Sequence, residues 1–455
     1  MSDSSQEEGD AAAEDTTTPQ PAKRLRQHVD DSNQTPTPRP NPFYAVTAAV
    51  ASVPVPAAPV LFRSSVSASV SETSSVASSY YSQHSFATQS LSADAKDKKR
   101  RRQSSPRKQT RVMAMERAFV PVSFGSALDP PVALDALVNR ILALQKGRSV
   151  ISHTQRESVE TEARGNRQFS WVEEQSFAPP PASRSSSIIS APSSRQLAVP
   201  SRDELGPTPS TQRVKRIWSD AEDCQTFQHI EGQWNCAVHY PVLQTALGHL
   251  DRIGFCNCTG AQIIPDFTRA SKSAHHNKRV DFCVYVTDDP DLLEQRALAT
   301  PYKSVNHTEL SSLLHRPIVL SIETKLTGHD LTEAMNQISA WLVAQWDYLD
   351  YLINSVSPAS TSTSETQGTA STRRSTAAEA GLAFLPGLVA QGHDWYFIAI
   401  TRDEDGLTRQ WSKILIGTTE TTAGIYSLIA VLQTLARWVE DDFYPWYRRS
   451  ILGVD

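Results

Sequence analysis

The sequence predicts an α/β protein, a central mixed β-sheet flanked by helices, behind a long disordered N-terminal region. Three observations predict it. From about residue 214 onward, short β-branched and aromatic runs alternate with longer segments of helical apolar spacing, the pattern of helices covering a sheet. The first two hundred residues instead crowd Ser, Thr and Pro, and the chain carries 28 Pro against 18 Gly. Hydrophobic content is 39%, below an ordinary globular chain, and it is unevenly spread.

Residues 1–112 hold stretches such as "SSVSASVSETSSVASSYYSQHS". These bury too little apolar surface to offset the entropy of ordering, so disorder is expected. The dense basic tract "KDKKRRRQSSPRKQTR", Lys96 to Arg111, reads as a nuclear-localisation signal for the import machinery or as a nucleic-acid patch. "PAKRLR", Pro21 to Arg26, is a weaker version of the same signal. In 113–147, Val132, Leu134, Leu137, Ile141 and Leu144 recur at helical spacing and Gly147 is a stop. This predicts a short amphipathic helix docked on the main domain. Residues 148–213 return to Ser, Pro and Gln and read as a disordered linker.

Residues 214–455 read as the folded domain. Asn235 to Leu250 is helical, "GAQIIPDF" is a short strand or turn, and Lys278 to Val286 is a strand. "RPIVLSIETK", Arg316 to Lys325, is the next strand, and Leu331 to Ile353 is a long helix. A low-complexity insertion at about 354–380 is expected to be disordered, since so long a loop is unusual in a compact domain. "DWYFIAITR" and "QWSKILIGTT" are strands, and one long helix or two shorter ones close the chain.

The net charge of −5 is mild, so nucleic-acid binding would rest on local patches. The five Cys contain no CxxC pair, and Cys256–Asn257–Cys258 is too tight for a usual zinc knuckle. Free thiols and a reducing compartment follow. No signal-peptide core opens the sequence, and no apolar run reaches the roughly 18 residues of a membrane span. The expected location is the nucleus, otherwise the cytoplasm, without secretion or membrane insertion. GxxxxGK[ST], HExxH and GxSxG motifs are absent.

The chemistry gathers at the end of "RPIVLSIETK". Alternation puts Val319, Ser321, Glu323 and Lys325 on one face of the strand. Charged groups at the end of a buried strand cost free energy unless something pairs with them. Asp281, an isolated acid in the preceding apolar strand, can stand beside Glu323 if the strands are neighbours. Asp281, Glu323 and the backbone carbonyl of Thr324 form a hard oxygen set suited to Mg²⁺ or Mn²⁺. Such an ion polarises a phosphodiester and activates water, and Lys325 can offset charge on the phosphoryl oxygens. A structural ion-pair cluster is the plainer alternative.

Asp281 followed by Glu323–Thr324–Lys325 resembles the D…(D/E)xK signature of the PD-(D/E)XK nuclease superfamily. "EGQWNCAVHYPVL", "KRVDFCVYV", "SVNHTELSSLLHRPIVLSIETK" and "NQISAWLVAQW" resemble its fungal group of nuclease-like proteins, from about Glu231 to the C-terminus. The resemblance implies a restriction-endonuclease-like core and a metal-dependent nuclease acting on DNA or RNA. The alternative it leaves open is a catalytically inactive module binding nucleic acid or protein. It implies catalytic roles for Asp281, Glu323, Lys325 and Gln337. Glu231 is a further candidate metal acid, with a capping or surface role as its alternative. Some members carry Gln-x-x-x-Tyr after the signature; here Trp341 stands in the tyrosine place and can pack in the core or stack on a base. Val280 replaces the signature proline, and the literal "PD" at Pro265–Asp266 makes Asp266 a rival to Asp281. His275, His276, Lys278, Arg279, Lys303, His307 and Arg316 lie on flanking loops as candidate phosphate contacts.

Overall fold

The computed structural model describes residues 105–180, 201–268, 279–356, 375–403 and 406–454. All of them lie in the second of two units of the chain, Lys96–Asp455. In order, α1 (Pro106–Met115) leads to a short strand, β1 (Val120–Ser123), and to α2 (Val132–Gln145). Next come α3 (Arg156–Gly165), α4 (Arg202–Leu205) and α5 (Thr211–Thr226). α6 (Glu231–Trp234) passes through a wide π-type turn, Asn235–His239, into α7 (Tyr240–Leu247). β2 (Ile253–Asn257), β3 (Phe282–Val286), α8 (Pro290–Leu298), β4 (Ile318–Lys325) and α9 (Leu331–Val356) follow. β5 (Leu385–Gln391), β6 (Asp394–Arg402), β7 (Thr408–Thr418), α10 (Thr422–Trp438) and α11 (Tyr444–Tyr447) complete the chain.

The strands form one mixed sheet in the order β1-β7-β6-β5-β4-β3-β2. β4 pairs parallel with β5, and β1 parallel with β7; the other neighbours are antiparallel. Every residue of β3 is buried, as is every residue of β4 except Lys325. Strands covered on both faces read as near-continuous apolar runs, which is why these two were visible in the sequence. α9 crosses from β4 to β5 and buries Ala334, Ile338, Trp341 and Leu342. Gly387 lets β5 approach it: a Cβ there would lie 2.8 Å from Leu342 Cδ1 and 2.9 Å from Ile338 Cδ1. The fold is therefore α/β with a central mixed sheet flanked by helices. Among the described residues, no helix is long and apolar enough to cross a membrane.

Several expected boundaries are corrected. The expected linker, 148–213, carries α3, α4 and the start of α5, while 181–200 lies outside the described residues. Its apolar residues are sparse, but Val150, Ile151, Val159, Phe169 and Phe177 are all buried in the main core, and the buried Arg202 donates to the Val150 carbonyl at 2.9 Å. The expected disorder of 1–112 gives way at Pro106, where α1 begins; 1–104, including most of the basic tract, lies outside the described residues. α1 docks on α9, with Asn336 Nδ2 donating to Pro106 O at 2.9 Å and Thr110 Oγ1 bonding Asn336 Oδ1 at 2.8 Å. At the insertion, α9 runs on to Val356 and 375–380 is described; 357–374 is not.

Because Leu342 and Ile338 are both fully buried, neither side chain can yield to a larger residue at 387. Gly387→Val is expected to destabilise the domain by about 1–3 kcal/mol, read as a lower urea midpoint at unchanged slope. A midpoint equal to wild type would contradict this packing.

Candidate active site at the end of β4

Antiparallel pairing sets Phe282 against Ile322, so Asp281, one residue earlier, falls opposite Glu323. Asp281 continues the ladder by donating its N–H to Ile322 O at 2.9 Å. The residue is 7% exposed. Oδ2 accepts two bonds from Thr324, from the backbone N–H and from Oγ1, each at 2.8 Å. Oδ1 accepts from Thr259 Oγ1 at 3.3 Å. Glu323 is 0% exposed. Its Oε1 takes a short ion pair from the Lys325 ammonium, and its Oε2 is buried with no hydrogen-bond partner. Lys325 Nζ also donates to Thr324 O at 2.9 Å.

The charges of three acids, Glu323, Glu231 and Asp281, all act on Lys325. Burial, reinforced by the Asp281 charge, pushes the Glu323 carboxyl up to about 8 against the pull of Lys325. Burial alone would lower Lys325, but Glu323, backed by Glu231 and Asp281, outweighs it and holds the lysine above its ordinary value. Burial also raises Glu231, with Asp281 adding to the rise and Lys325 and His329 opposing it. Burial is the larger cause for the two glutamates and neighbouring acids the cause for Lys325, so among the described residues three acids share one lysine in a poorly hydrated place. A cation is the remedy that such a place favours. The orphaned Glu323 Oε2 is a hard oxygen free to bind one. The residues therefore fit a divalent ion held by Asp281, Glu323 and the Thr324 carbonyl. Among the described residues, no three His, Cys, Asp or Glu side chains converge as a metal cage; Glu231 is tied to the site by its charge interactions with Lys325 and Asp281.

The backbone that fixes Lys325 is itself clamped. Gly392, at φ +56°, donates its N–H to Lys325 O at 2.8 Å. A Cβ at Gly392 would come within 2.0 Å of Thr327 Oγ1, so the left-handed turn requires glycine. Gly392 O accepts from Nε2 of His239 at 3.0 Å, and Nδ1 lies 2.8 Å from the Asn235 side-chain amide. Burial drives His239 down to about 4, so it stays neutral.

Gln337 donates from Nε2 to Arg279 O at 2.7 Å, tying α9 to the segment leading into Asp281. Arg279 is half-buried there. Lys278, His275 and His276 lie outside the described residues. Three expected phosphate contacts are corrected. His307 is fully buried, with its ring 4.3 Å from that of Trp341. Lys303 donates to Leu298 O at 2.7 Å, in the loop whose Asn306 Oδ1 accepts from Ile318 N at the opposite end of β4. Arg316 lies over the Tyr285 ring at 5.2 Å, toward the far end of β3. Trp341 is core, donating Nε1 to Ser321 Oγ at 3.0 Å. Asp266 sits elsewhere: its Oδ2 accepts from Tyr302 OH at 2.6 Å, and it lines a cleft with Asp347 and Asp350, about 15 Å along α9 from Gln337. Thr324, Thr259, His239 and Gly392 support the site without any signal in the sequence beyond Thr324 filling the variable place of ExK.

The sheet thus carries an acid, a second acid and a lysine at the ends of adjacent strands, with a helix crossing above. The PD-(D/E)XK nuclease superfamily model matches residues 180–444, more than half of the chain, and the protein belongs to that superfamily. No curated protein sequence and no solved structure is detectably similar to it.

His307 gives a pH signature independent of the acids. Burial lowers its pKa to about 3, whereas an unfolded histidine titrates near 6.5. The unfolded chain thus takes up a proton that the folded chain refuses. The stability tied to this is complete above pH ~6.5 and is lost as pH falls toward ~3. The unfolding free energy of His307→Leu is expected to fall less steeply than wild type across that window. Parallel pH profiles would contradict it.

Proposed function

We propose that the protein is a metal-dependent phosphodiesterase that hydrolyses DNA or RNA. The observation that carries this reading is the fully buried Glu323, whose Oε2 has no partner, beside Asp281 and Lys325. Asp281, Glu323 and the Thr324 carbonyl would hold Mg²⁺ or Mn²⁺, which supplies Lewis acidity toward the phosphodiester and lowers the pKa of bound water. The chain's own groups have definite parts. Thr324 fixes the Asp281 carboxylate through two hydrogen bonds to Oδ2. Lys325 remains an ammonium and therefore acts as a cation rather than a base, stabilising charge that develops on the phosphoryl oxygens. Gln337 fixes the approach to Asp281 by holding Arg279. The exposed Arg107, Lys108 and Arg111 of α1 continue the basic tract from Lys96, which supports both phosphate contact and nuclear import.

One observation favours a second reading, a module that binds without cleaving: both hydrogen bonds of the Lys325 ammonium are internal. Purified full-length protein, with labelled single- and double-stranded DNA and RNA in Mg²⁺, Mn²⁺ or EDTA, separates the two. Cleavage that needs the metal and falls at least about 100-fold in both Glu323→Ala and Lys325→Ala is the expected result. Binding without cleavage would establish the second reading, and neither activity on any substrate would exclude both.

A further inference from the structure

We propose that Phe227 and Ile230 form a platform for unpaired nucleobases at the rim of this site, so that the preferred substrate is single-stranded or frayed nucleic acid rather than intact duplex. The proposal rests on the nucleic-acid reading above and adds the class of substrate. Phe227 is 69% and Ile230 74% exposed, so both present apolar surface to solvent three residues apart in one turn. The side chains do not hang from a slack loop. Phe227 N donates to Asp223 O at 3.0 Å, His229 N to Cys224 O at 2.9 Å and Gln233 N to Ile230 O at 2.9 Å. Gln228 between them takes φ 49°, the left-handed conformation that turns the chain sharply and displays its neighbours. The Phe227 ring is stacked on His229, with centroids 6.1 Å apart and planes at 26°.

This turn is placed at the site by its two ends. Cys224, before it, and Trp234, after it, form one buried cluster with Val238 against which Leu326 packs, and Leu326 follows Lys325 directly. Glu231, next to Ile230, interacts electrostatically with Lys325 and Asp281. A strand whose phosphate reached Lys325 would thus carry its bases within range of an exposed ring. A duplex keeps its base faces stacked inside and offers that ring only edges and backbone. Stacking on an aromatic face requires an unstacked base and is indifferent to which base it is. An apolar aliphatic beside the ring fits the face of a base, not a phosphate.

Fluorescence anisotropy of labelled oligothymidine and of a matched duplex, in Ca²⁺ without Mg²⁺, tests this with full-length wild type, Phe227→Ala, Phe227→Trp and Ile230→Ser. The expected result is tighter single-strand than duplex binding by wild type. Phe227→Ala should weaken the single strand about tenfold or more, Ile230→Ser should weaken it less, and Phe227→Trp should keep it, with duplex affinity unchanged throughout. Both exposed positions can be substituted without disturbing the core. Equal losses on both ligands, no loss in Phe227→Ala, or a wild-type preference for duplex would overturn the proposal; unchanged affinities are also what a protein-docking surface would give. Loss of metal-dependent cleavage with Phe227-dependent binding retained would sink only the enzymatic reading. Wild type with no affinity for any nucleic acid would sink both.

Discussion

The structure turns on one unfavourable act, the complete burial of a carboxylate in the middle of a sheet. Glu323 stands on β4 between β3 and β5, with one oxygen satisfied by Lys325 and the other by nothing. Keeping such a group charged away from water costs several kcal/mol even after relaxation, which is why burial pushes its pKa up to about 8. A fold bears that cost where it serves chemistry. The surrounding order follows from the need to hold this group still. Asp281 is fixed by Thr324, Lys325 by Gly392, and Gly392 by His239.

The same geometry explains why the site is short of positive charge. Asp281 comes from just before β3, Glu323 and Lys325 from β4, and Glu231 from the start of α6; among the described residues Lys325 is the cation on which all three acids act. A purely structural ion pair would balance its charges and bond each oxygen. Among the described residues an acid is left over and an oxygen is left bare. Both features suit a divalent ion and disfavour a closed structural cluster.

Much of this was legible in the sequence because β4 advertises itself. Its apolar run ends in acid and base, and the preceding strand holds one acid in an apolar setting. Period two was enough to put Glu323 and Lys325 on one face. Other elements gave no such sign. β5 reads "LPGLVAQ", where Pro386 and Gly387 look like breakers, yet Gly387 is there because α9 passes too closely for a side chain. β1 is four residues with a proline on the sheet edge, where the missing N–H does no harm. Residues 148–180 hold few apolar side chains, and burial by distant elements makes each of them count. His307 lay in polar sequence and so read as surface, but Asn306 pins its loop to the start of β4 and turns the ring inward. These are long-range contacts, which local pattern does not encode.

The central claim is that Glu323 and Asp281 hold a divalent cation that the buried, negatively unbalanced site is shaped to accept. Calorimetric titration of Mn²⁺ into the full-length protein, alongside Glu323→Gln and Asp281→Asn, tests it without any substrate. One ion bound per chain, with binding lost in both variants while their folded circular dichroism is kept, is the predicted result. Wild type that takes up no ion, or variants that bind it as well as wild type, would contradict it.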